Sequence, residues 1–186
     1  YLGGDKEEEM ISSVRAHSDE FDENKMMLVE GMMYVERTLP NGSTRRGIVG
    51  KLDLEKYDYS CDSSSPIRAT EETIVERIPS RGKIRAFSKI EVPHILILVS
   101  DKKLFDKAWE VSGEKLYDFE LMSGGGHIKG YSVVGDALER LAESIEEYEA
   151  AHENGVMYAV GDGNHSLAAA KSHWEKLKAN GVPATH

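Results

Sequence analysis

Residues 156–170 read Val156-Met157-Tyr158-Ala159-Val160-Gly161-Asp162-Gly163-Asn164-His165-Ser166-Leu167-Ala168-Ala169-Ala170. An apolar run comes first, then two glycines around an aspartate, then a stretch of helical character. This order predicts a strand, a small-residue turn and a helix over residues 164–179. Leu167, Ala170, Trp174 and Leu177 recur at helical spacing. Lys176 and Lys178 fall in the last turns, and Asn180-Gly181 and Pro183 are stop signals. The first amides of such a helix have no intrahelical acceptor, and its dipole puts partial positive charge there. The stretch therefore favours an anion, phosphate above all.

Each residue of the turn has a reading in those terms. Gly161 and Gly163 allow backbone angles that other residues resist and let a ligand approach closely. Asp162 is read as a catalytic residue that accepts from a substrate hydroxyl or holds a hydrated Mg²⁺. His165 is read as a phosphate donor or an acid–base group. Asn164 and Ser166 complete the phosphate-binding set. The plainer alternative is a tight turn with Asn164 as the helix N-cap.

Three sharper motifs fail. A dinucleotide fingerprint needs a third glycine where Ser166 stands. A nucleophile elbow needs serine at the centre of Gly-x-Ser-x-Gly, and Gly163 occupies it. A His-Glu-x-x-His zinc helix needs histidines four apart, whereas His165 and His173 are eight apart.

The chain has 186 residues, enough for one sizeable domain, and its 40% hydrophobic content suits a packed core. The net charge of −10 argues against nucleic acid as a partner. Cys61 is the single cysteine and has no internal partner, which points to a reducing, cytoplasmic setting. No apolar run reaches membrane-spanning length. Tyr1 at the start and the loop-like Val182-Pro183-Ala184-Thr185-His186 at the end lead us to expect a single α/β domain cut from a longer chain.

Upstream, residues 5–18 read as an acidic helix. Residues 25–37 and 44–52 read as strands joined by Pro40-Asn41-Gly42-Ser43, a hairpin signal. Met26-Met27 and Met32-Met33 are expected in strand core. Residues 52–65 read as loop. Residues 68–78 suggest a short helix capped by Thr70 or Glu71 and broken by Pro79. Residues 92–99 suggest a buried strand. A helix over 101–111, strands over 115–122 and 127–134, and a helix over 136–152 follow. Gly124-Gly125-Gly126-His127 reads as a hairpin turn, with an anion nest as the rarer use. The mixture gives an α/β class with α+β character and a mixed sheet, not an all-parallel one.

Arg77, Arg81, Lys83, Arg85 and Lys89 lie within thirteen residues that contain no acid. With Arg68 upstream, Arg77, Arg81, Lys83 and Arg85 form the cationic set expected to meet a nucleotide. The alternative is a charged strand edge.

The run Tyr158 to Ala170 resembles the Asp-Gly-His-His-Arg box of ParB-like proteins, and Leu141-Ala142-Glu143-Ser144-Ile145 is similar to the helix that precedes it. Arg45-Arg46-Gly47-Ile48-Val49-Gly50, Ile67-Arg68-Ala69-Thr70-Glu71, Arg77-Ile78-Pro79-Ser80-Arg81 and Glu91-Val92-Pro93-His94 resemble the bacterial family called domain of unknown function 1015. The resemblance implies a ParB/sulfiredoxin-like fold and kinship with kinases that phosphorylate free serine using ADP or ATP. Asp162, Gly163 and His165 match the box. Asn164 replaces its first His, and Ser166 replaces its Arg, which removes a bidentate phosphate contact. The kinases also use a carboxylate from an N-terminal segment that has no match here. The resulting expectation is a nucleotide- or phosphate-binding domain, with small-molecule kinase activity and Mg²⁺ plus ATP or ADP as cofactors. Its rival is a non-catalytic binding or regulatory module on the same fold.

Overall fold

The computed structural model describes residues 5–92, 94–152 and 155–183. By its internal contacts the chain forms two compact units. Unit 1 takes residues 1–26, 53–99 and 154–186, and unit 2 takes residues 27–52 and 100–153.

Unit 2 is built on an antiparallel sheet. Strands β1 (Met32–Thr38) and β2 (Thr44–Val49) form the expected hairpin. Gly42 takes φ +84°, a left-handed angle that suits Asn-Gly turns. Strands β6 (Lys115–Glu120) and β7 (His127–Val133) form a second hairpin, and β7 pairs with β1, giving the order β2-β1-β7-β6. Gly124 and Gly126 have positive φ in the connecting turn, so the glycine run makes the hairpin.

Helices α3 (Lys103–Val111) and α4 (Asp136–Ala151) complete this unit. Their apolar stripes bury Leu104, Ala108, Val111, Leu141 and Tyr148. Tyr34, Trp109 and Tyr131 form an aromatic cluster with centroids 5.2–6.2 Å apart. Met26 and Met27 are 59% and 64% exposed, so they are not strand core; β1 begins only at Met32.

Unit 1 holds a mixed sheet of very short strands. Strands β3 (Tyr57–Asp58), β4 (Ile67–Ala69) and β8 (Tyr158–Asp162) run parallel, and β5 (Leu96–Leu98) adds to β8 antiparallel. A two-residue strand thus lies inside the expected 52–65 loop. The expected strand over 92–99 contracts to three residues. It is an edge strand rather than a buried one: Leu96 and Leu98 are 37% and 48% exposed, because only β8 pairs with it. Pro93 lies outside the described residues.

The expected helix over 68–78 is also corrected. Residues 67–69 form β4, and helix α2 runs over Ile78–Arg85. Pro79 sits in its first turn instead of ending a helix, a place where the missing amide costs nothing. The basic stretch is therefore a helix and not a strand edge. Helix α1 (Asp5–Asp19) and helix α5 (Asn164–Ala179) match the expected spans closely. Ala168 and Ala169 of α5 pack with Ile78 of α2 and with Tyr59, small side chains permitting close approach of the two helices.

Candidate functional site

Strand β8 ends at Asp162 and α5 begins at Asn164, so the expected strand–turn–helix is present. Gly163, not Asn164, is the N-cap, with φ +79° and ψ 16°. A Cβ there would overlap the carbonyl oxygen of His94 and lie 3.0 Å from the Ile95 Cα. Glycine is thus required twice, by angle and by space.

Asn164 turns inward. It is 3% exposed, and its Nδ2 donates to Thr73 Oγ1 at 3.3 Å and to the Glu72 carbonyl at 3.5 Å. Its side chain therefore holds the 72–73 loop and is not presented to a ligand. Asp162 is exposed, and its Oδ1 accepts from the Gly163 amide at 2.7 Å. The amides of Ser166 and Leu167 both donate to the Gly163 carbonyl at 3.0 Å. The amides of Asn164 and His165 meet no protein acceptor among the described residues. They are the two donors the helix end offers to an anion.

His165 Nε2 accepts from the Ile74 amide at 3.0 Å. An imidazole nitrogen that accepts carries no proton, so Nδ1 holds it. Burial, then the charges of Arg77 and Arg81, hold this imidazole below its usual pKa, while Glu71 pulls the other way. His165 is therefore a neutral Nδ1–H donor.

The cationic set divides. Lys83 Nζ lies 2.6 Å from Glu7 Oε1, and Arg85 Nη2 lies 2.5 Å from Glu91 Oε2. Lys89 pairs with Asp19 at 3.6 Å. Arg68, on β4, donates from Nη1 to the Ser63 carbonyl at 3.1 Å, and its buried Nε has no partner among the described residues. Arg77 and Arg81 have no carboxylate partner among the described residues and act on His165. The structure thus leaves Arg77 and Arg81 within electrostatic reach of His165 and engages Lys83 and Arg85 elsewhere.

Glu71, Thr73 and Ile74 were not read from sequence as parts of this site. Thr70 does not cap a helix; its amide and Oγ1 both donate to the Val160 carbonyl, at 3.2 and 2.8 Å. These partners lie about ninety residues apart in the chain, and no local pattern signals them.

Among the described residues, no group of three or more His, Cys, Asp or Glu is arranged to hold a metal ion. Among the described residues Asp162 keeps one carboxylate oxygen without a partner, which suits a Mg²⁺ that draws its other ligands from water and phosphate. Among the described residues no helix is long and apolar enough to cross a membrane. Cys61 is free and exposed.

A second polar cluster lies in unit 2. His152 Nδ1 donates to the Tyr148 carbonyl at 2.8 Å, and Nε2 accepts from the Ser100 hydroxyl at 3.0 Å. The first bond satisfies a carbonyl in the last turn of α4, so this histidine caps that helix.

The fold and the turn define an α/β protein with a helix N-terminus that carries a donor histidine, within electrostatic reach of two arginines that have no ion-pair partner among the described residues. The chain belongs to the family described as protein of unknown function (DUF1015), whose model matches residues 2–186. No curated protein and no solved structure was found that matches the chain.

Proposed function

We propose that the N-terminus of α5 binds the phosphate of a nucleotide or other small-molecule phosphate. The observation that carries this is the grouping of unlike donors at one helix end: two unpartnered amides, the His165 Nδ1–H, and the charges of Arg77 and Arg81. A structural turn needs Gly163 and Asn164, but it does not need two unpaired guanidinium groups beside them. Arg77 and Arg81 also answer the main departure from the ParB-like box. They bring guanidinium charge from the start of α2 and the turn just before it, which Ser166 lacks.

The finer reading is a ParB/sulfiredoxin-like domain that transfers phosphate from ATP or ADP to a small hydroxyl compound. Asp162 would hold Mg²⁺ through its carboxylate, and Arg77 and Arg81 would offset charge on the transferred group. A non-catalytic binding module is the second reading. The inward turn of Asn164 favours it, since that side chain is taken up by the 72–73 loop.

Titration calorimetry of the intact protein with ADP, ATP and CTP, with and without Mg²⁺, tests the phosphate reading. Binding of at least one nucleotide is expected, and no heat with any of them would overturn it. The Asp162→Ala variant separates the two finer readings. Loss of nucleotide turnover with binding retained favours the kinase, and unaltered turnover excludes a role for Asp162 in it.

A further inference from the structure

We propose that Glu71 is the carboxylate that takes the proton of the acceptor hydroxyl when phosphate is transferred at the N-terminus of α5, an assignment that rests on the phosphoryl-transfer reading above. The loop carrying it is fastened on both sides. Before Glu71, Thr70 makes two hydrogen bonds to the Val160 carbonyl of β8. After it, the Glu72 carbonyl and Thr73 Oγ1 accept from Asn164 Nδ2, and the Ile74 amide donates to His165 Nε2. Glu71 is thus held beside the first turn of α5. Its own side chain is exposed and has no ion pair among the described residues. The His165 imidazole feels its charge together with those of Arg77 and Arg81.

The other candidate bases have other tasks. A base needs a free lone pair, and the His165 Nε2 lone pair holds the Ile74 amide while Nδ1 already carries a proton. Asp162 Oδ1 holds the Gly163 amide and so shapes the turn. Among the described residues, no hydrogen bond or ion pair occupies the Glu71 carboxylate. In the step, the acceptor oxygen bonds to the transferred phosphorus, and the bond from phosphorus to the leaving phosphate oxygen breaks, its electron pair departing with that oxygen. The acceptor proton passes to Glu71 and then to water. The nucleotide is the phosphoryl donor, and the acceptor is a small alcohol.

The test compares the intact wild-type protein with Glu71→Gln and Glu71→Asp. ADP affinity is measured by calorimetry. Transfer from labelled ATP and ADP is measured to a panel of L-serine, L-threonine, glycerol and glucose. Glu71→Gln is expected to bind ADP within about threefold of wild type and to lose roughly 100-fold or more in transfer rate, with partial recovery in Glu71→Asp. Wild-type transfer rates in Glu71→Gln would overturn the assignment and leave phosphate binding standing. So would ADP binding without transfer to any acceptor by the wild type. Absence of ADP and ATP binding in the wild type would overturn the phosphate reading itself, and this assignment with it.

Discussion

The backbone amide of Ile74 donates to Nε2 of His165 across 3.0 Å. One bond thereby fixes the proton on Nδ1, ties the loop before α2 to the first turn of α5, and makes the histidine a donor. His165→Ala removes the donor and leaves the Ile74 amide without its acceptor. It is expected to weaken ADP binding by roughly tenfold and to cost about 1 kcal/mol of stability. Calorimetry and denaturant unfolding check the two effects separately.

Arg77→Ala and Arg81→Ala are each expected to weaken ADP binding by about tenfold and to reduce its salt dependence. Lys83→Ala and Arg85→Ala should change it by less than about twofold, because Glu7 and Glu91 already hold those charges. Equal losses in all four variants would mean that the pairing of Lys83 and Arg85 does not decide their role.

Gly163→Ala forces a Cβ against the His94 carbonyl at a left-handed backbone position. A destabilisation of about 1–3 kcal/mol follows. At this chain length that corresponds to a fall in midpoint of roughly 2–4 °C per kcal/mol, read by thermal unfolding. Gly47→Ala, where a Cβ meets open space, serves as the control.

The β6–β7 hairpin carries a pH-dependent clasp. His127 Nδ1 lies 2.8 Å from Glu120 Oε1, and Nε2 lies 2.5 Å from Asp118 Oδ1. Hydrogen bonds to Glu120 and then Asp118 raise the His127 pKa above its ordinary value, while Lys115 and then His127 hold Asp118 down to about 2. A raised histidine stabilises the fold fully below its unfolded pKa of about 6.5 and loses that contribution as pH climbs through the folded value. Unfolding midpoints should therefore fall between neutral and mildly alkaline pH, and His127→Gln should flatten that slope. An unchanged slope in the variant would assign the pH dependence to other groups.

The elements legible in the sequence are those with local signals. Helix α5 shows its stripe and its Asn180-Gly181 stop, and Gly181 indeed takes φ +90° after the helix. The β1–β2 hairpin follows from Asn41-Gly42. Strand β4 was missed because three residues carry no period of their own. Ile67, Arg68 and Ala69 become a strand by pairing with Tyr158, Ala159 and Val160, far along the chain. Pro79 was misread because the same residue can end a helix or open one, and only the neighbouring packing decides. At the site, Asp162, Gly163 and His165 were legible as a group. Asn164, read as a phosphate contact with an N-cap as the alternative, does not cap the helix, and its side chain holds the 72–73 loop. The loop residues that fasten the turn, Glu72, Thr73 and Ile74, reach it through tertiary hydrogen bonds that no spacing rule reports.

The most direct measurement of the central claim is a crystal structure of the intact protein grown with ADP and Mg²⁺. Phosphate density is expected within about 3 Å of the Asn164 and His165 amides, with Arg77 or Arg81 turned onto its oxygens. ADP density elsewhere, or a protein that binds ADP while this helix end holds only water, would contradict it.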